Sequence, residues 1–171
     1  MPIDQLLKRI PDLDQSKMPA VDPKQATRLF DDLLAGGESN IVALVDALQE
    51  TDDGTDYRVR FCLHNLAKVV AGEGRSAQRT VFVQTLVSQL GGERHAAIQT
   101  FLVQQLQWIG GKSELRPLAA LLEHADAQLF DAALAAMVVN RSDAEPLLRD
   151  ALKRANAVRR GAIENALAQI G

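Results

Sequence analysis

Apolar residues recur every three to four positions in a series of blocks along this chain, each block closed by Gly, Pro or a polar turn. That spacing marks amphipathic helices. Ile3, Leu6, Leu7 and Ile10 fall on one side of a short helix that Pro11 ends, and PDLDQSKMPAVDP reads as a Pro-punctuated connector. This preamble, 1–21, is expected to pack loosely or to cap the first repeat. Asp22-Pro23 opens the first long helix. Asp is a fit N-cap, and Pro suits the first helical position, where its missing N–H would be unpaired anyway. Leu29, Phe30, Leu33 and Leu34 form its stripe, and Gly36-Gly37 ends it with a left-handed cap. Ile41, Val42, Leu44, Val45 and Leu48 form the next stripe. A link of about four residues makes these two helices antiparallel.

The same arrangement restarts. Phe61, Cys62, Leu66, Val69 and Val70 mark one helix, and Phe82, Val83, Leu86, Val87 and Leu90 mark its companion. A third pair begins at Glu93, a fourth at Asp126, and a half-unit at Asn156. Pro117 and Pro146 stand 29 residues apart, each before a Leu in the first turn of a second helix. That offset predicts matching places for Leu118 and Leu147. In the first helices Tyr57, Ala97, Leu129 and Val158 are equivalent, at spacings of 40, 32 and 29. A period of this size with two helices per unit predicts an all-α solenoid of about four and a half antiparallel pairs, because one pair cannot bury all its apolar faces without neighbours. The units are expected at about 22–52, 53–92, 93–125 and 126–155, with the half-unit at 156–171. The half-unit points to a fragment or a capping helix ahead of an end-to-end contact between copies, and a monomer is expected.

Composition sharpens this picture. Aromatics are only 4% of the 171 residues while apolar residues are 47%, so the core is Leu, Val, Ile and Ala, a mixture that favours helix over sheet. The net charge is −3, which argues against a nucleic-acid partner. Charge is uneven: Met1–Asp56 holds 5 Lys/Arg against 12 Asp/Glu, whereas Tyr57–Gly171 holds 14 against 10. Ordinary solvated faces account for this, and a molecule with opposite fields at its two ends is the sharper reading. One cysteine allows no intrachain disulfide. No apolar run reaches the roughly 18–20 residues that span a bilayer, so no membrane insertion is expected. The first residues lack a leader pattern. Together these favour a soluble cytoplasmic protein, unless the chain is part of an exported one.

Candidate chemistry is sparse. TDDGTD resembles a calcium loop only superficially: counting from Gly54 puts Gln49, Thr51 and Arg60 where carboxylates are needed. It reads as a turn capped by Asp. Cys62 and His64 point to opposite sides of a helix and cannot share a metal, so Cys62 is expected in the core. His95 and His124 read as surface residues at helix ends. No catalytic set, cofactor or metal site emerges. Trp108, the one tryptophan, is expected to fill space between repeats.

VRRGAIENALAQIG, FLVQQLQWIGG and RPLAALLEHAD resemble the first-helix signature, its close, and the second helix of HEAT-like repeats. Ala162 and Ala166 sit where that signature has small residues, whereas Asn65 and Gln105 depart from it. The resemblance covers about Pro23 to Gly171 and implies a right-handed α-α superhelix. It also implies a non-catalytic protein-interaction or scaffold module that uses the face lined by the second helices. On that face Thr85 and Ser88, then Arg116, Ala120 and Glu123, then Glu145 and Arg149 stand opposite the apolar stripes and are the expected partner-binding residues. Lys153, Arg154, Arg159 and Arg160 add a basic patch suited to phosphate or to an acidic neighbour. The enzymatic alternatives in this fold are bilin-chromophore lyases and DNA-alkylation glycosylases. A glycosylase needs a basic groove with an aromatic and a carboxylate; the acidic balance speaks against it. A lyase needs a bilin-sized pocket. A spacer within a larger protein is the remaining alternative.

Overall fold

Among the described residues, 2–11, 22–51, 53–109 and 111–171, the computed structural model is all-helical and contains no strand. Residues 12–21 of the connector expected at 11–23 lie outside them. No helix among them is long and apolar enough to cross a membrane. The chain divides into two units, Met1–Thr85 and Leu86–Gly171.

The first unit holds α1 (Ile3–Leu7), α2 (Pro23–Ala35), α3 (Gly37–Asp46), α4 (Tyr57–Val70) and most of α5 (Ser76–Ser88). Asp22 caps α2 as expected, accepting from the Lys24 N–H at 3.0 Å. Only Gly36 separates α2 from α3, so the link is shorter than the sequence implied. Gly37 takes the left-handed turn, at φ +55°. Gly36 has a different reason to be glycine: a Cβ there would lie 2.0 Å from the Asn40 amide. That amide instead donates to the Leu33 carbonyl at 3.0 Å, satisfying one of the orphan acceptors at the end of α2. α1 packs on α2 and α3, with Leu6 and Ile10 buried. Tyr57 Oη donates to the Pro11 carbonyl at 2.6 Å and Arg58 Nε to that of Ile10 at 3.1 Å. The described part of the preamble is therefore pinned down rather than loose.

The second unit holds α6 (Ala96–Ile109), α7 (Leu115–Leu121), α8 (Ala127–Val139), a 3-10 turn (Arg141–Asp143), α9 (Glu145–Arg154) and α10 (Ala157–Ile170). α6 packs on α8 and α8 on α10, while α7 packs on α9. Across the two rows α7 packs on α8 and α9 on α10. Small residues permit the close approach of the first row: Ala133, Ala136 and Ala166 are buried. Asp126 and Asn156 cap α8 and α10, accepting from Leu129 and Arg159 N–H groups at 2.9 and 3.0 Å. Pro117 and Pro146 sit in the first turns of α7 and α9, where Pro costs little. The 29-residue offset holds for burial at Leu115 and Ala144 and at Leu122 and Ala151. It breaks between: Leu118 is buried, Leu147 is half-exposed, and Leu148 takes the buried place in α9.

Candidate functional site

Of the seven residues expected to bind a partner, six fall in the second unit and one, Thr85, in the first. Thr85 is a correction. It is 3% exposed, among the buried Phe82, Val83 and Leu86, and its hydroxyl donates to the Val81 carbonyl at 2.8 Å. A threonine that bonds to the carbonyl four residues back hides its polarity within its own helix and can occupy a packed face. Ser88, at the last residue of α5, is exposed.

The remaining five lie on or just past α7 and α9, which pack against each other. Arg116 and Ala120 are exposed on α7, Glu123 is exposed just past its end, Arg149 is exposed on α9, and Glu145 is half-buried. Arg149 donates through Nε to Glu145 at 2.8 Å, one turn away. Such exposed pairs contribute at most about 1 kcal/mol.

This strip ends in a recess of about 270 Å³, lined by Leu122, Glu123, Ala151, Arg154, Ala155, Asn156, Arg159 and Ile163. Arg154 Nε donates to Glu123 at 2.7 Å and Nη1 donates to Asp150 at 2.8 Å. Hydrogen bonds from Arg154 and then Lys153 hold the Asp150 carboxyl below its usual range, and Asp150 and then Glu123 raise the Arg154 guanidinium above its own. Arg159 lies 5.0 Å over the Phe130 ring and donates to the carbonyls of Leu122, at 3.1 Å, and His124. It thereby caps the end of α7 and ties α10 to it. The basic cluster at 153–160 was legible in the sequence. Its meeting with Glu123 was not, because that contact joins residues 31 apart.

Elsewhere the candidate residues are structural. Cys62 is fully buried, and burial pushes its thiol up to about 12, far from the range of a reactive thiolate. His95 and His124 each accept, through Nδ1, a backbone N–H two residues on, from Ala97 at 3.3 Å and Asp126 at 3.1 Å. In the expected turn Asp53 accepts from the Thr55 N–H at 3.0 Å. Asp56 caps differently from expectation. Its buried carboxylate accepts from the Gln49 N–H and from Arg60 Nε, both at 2.8 Å, and so fastens the end of the α3 region to the start of α4. Among the described residues no group of three or more His, Cys, Asp or Glu could hold a metal. Trp108 does not fill space: it is 63% exposed.

Two buried polar residues carry no sequence signal that marks them. Gln99 accepts from the Gly91 N–H at 2.8 Å and donates to the Arg94 carbonyl at 2.7 Å, locking the turn before α6. Glu114 takes a 2.7 Å bond from the Ser113 hydroxyl on one oxygen, and its other oxygen is buried with no hydrogen-bond partner among the described residues. Compared with protein-family models and with curated proteins, the sequence matches none.

Proposed function

We propose that this chain is a HEAT-like protein-interaction or scaffold module, a right-handed α-α superhelix that recruits a protein partner to the face of its second helices. The observation that carries this reading is the packing in the second unit. First helices α6, α8 and α10 follow one another, second helices α7 and α9 lie together, and the latter expose Arg116, Ala120, Glu123 and Arg149. An arrangement of like helices against like suits stacked repeats, whose extended faces bind partners. The side chains on that face form local, exposed ion pairs, and charged rims of this kind govern specificity and association rate. The test is affinity capture from the native lysate with the wild-type chain and with the double variant Arg116→Glu, Arg149→Glu. A specific partner lost with the variant supports the reading. Identical capture by both proteins removes the face from consideration.

A further inference from the structure

We infer that the recess at the end of the α7–α9 face receives a glutamate side chain from an acidic segment of a protein partner. The inference rests on the interaction reading above and narrows it to one anchor.

Size decides the class of occupant first. A space of about 270 Å³ is smaller than most cofactor and drug sites, which run from roughly 300 to 1,000 Å³. It suits one side chain. Its floor is apolar, made by the buried Leu122, Ala151 and Ile163, and its walls carry Arg154 and Arg159. An occupant with a short aliphatic stem and an anionic end matches both.

The chain itself supplies the demonstration. Glu123 reaches Arg154 from outside that residue's helix and accepts from Nε at 2.7 Å. Both side chains are more than half exposed, at 61% and 53%, so water screens the pair and a competing carboxylate can displace it. Asp150, one turn away, accepts from Nη1 at 2.8 Å and biases Arg154 toward the recess when Glu123 leaves, although that pair is just as exposed. The bias lowers part of the entropic cost of a new contact. Among the described residues no carboxylate pairs with Arg159, which is held by carbonyls and the Phe130 ring. The stretch 150–164 carries four basic residues, Lys153, Arg154, Arg159 and Arg160, against two acidic ones, Asp150 and Glu164, so turning Glu123 outward leaves the recess with a basic excess. Charge complementarity then favours an incoming acid.

The experiment is a titration of the ¹⁵N-labelled full chain, followed at the Nε–H signals of Arg154 and Arg159. The probes are the capped peptide Ala-Leu-Glu-Leu-Ala, its Gln analogue, and inorganic phosphate. Saturable shifts at both arginines with the Glu peptide, and little response to the Gln peptide, are expected. Glu123→Gln tightens the Glu peptide about two- to fivefold by removing the internal competitor, and Arg154→Gln abolishes the response. Equal response to both peptides, unchanged or weaker binding by Glu123→Gln, or phosphate binding as well as the Glu peptide would each overturn the inference. Should the peptide fail while the charge-reversed face still loses its captured partner, the anchor falls and the interaction reading stands.

Discussion

Helices α4 and α6, one in each unit, carry the same local device at an offset of 40 residues. In α4 the Asn65 amide donates to the Phe61 carbonyl at 2.8 Å. In α6 the Gln105 amide donates to the Phe101 carbonyl at 3.0 Å. The HEAT-like resemblance implied small residues at both positions. In each, the amide spends a donor on its own helix and so tolerates a packed environment. The flanking turns differ. In the first unit the buried Asp56 closes the turn ahead of α4 with a charge, held by Gln49 N–H and Arg60. In the second unit the buried Gln99 does the equivalent work without one, through Gly91 and Arg94. Helices that correspond in sequence can therefore share an internal solution while their turns are secured by unrelated chemistry. The spacing of 40 at this step, against 32 and 29 later, marks where the turns diverge.

The comparison can be broken at several strengths. Leu63 and Leu102 are both fully buried, in α4 and α6. Leu63→Ala and Leu102→Ala should each cost about 2–5 kcal/mol in chemical denaturation; a cost near zero for either would remove that helix from its unit's core. Asp56→Ala and Gln99→Ala each strip a buried partner from backbone groups and should cost about 1–3 kcal/mol. Salt should erode the stability of wild type relative to Asp56→Ala more than relative to Gln99→Ala, since only the first lock is ionic.

Cys62 gives a pH-dependent contrast, because α6 has no thiol. Burial raises its pKa from 9.0 to about 12, so the folded state holds the thiol proton more tightly than the unfolded state. The stability this contributes is complete below pH 9 and is lost as pH rises toward 12, by on the order of 1 kcal/mol at pH 10. Urea titrations at pH 8 and pH 10 should show that loss in wild type, and Cys62→Ala should lack it. The smallest effects belong to the shared device. Asn65→Ala and Gln105→Ala should change stability by less than about 1 kcal/mol each through the shared bond, since it runs to a carbonyl of the same helix. A large loss at one position alone would end the equivalence of α4 and α6.

Periodicity located the helices well, because amphipathic spacing is a local property. It misjudged phase where a helix is buried around much of its circumference. In α4 the expected Phe61 and Val69 are only partly buried, while Val59, Leu63 and Ala67 are fully packed. It also read polarity as exposure at Thr85, where a hydroxyl turned onto its own helix allows burial. Trp108 failed in the opposite direction, being large and apolar yet mostly exposed. Four of the expected surface residues, Arg116, Ala120, Glu123 and Arg149, are exposed on the adjacent second helices or just past them. The recess depends on Glu123 and Arg154 meeting across 31 residues, and no local pattern encodes such a meeting.

The most direct test concerns the side-by-side placement of α7 and α9, on which the proposed face depends. Methyl NOE spectroscopy of the full chain should connect Leu122 with Ala151, which line the same recess, and Leu118 with Leu148. Absence of both cross-peaks while α6–α8 methyl contacts are present would contradict the side-by-side placement of α7 and α9 and, with it, the proposed face.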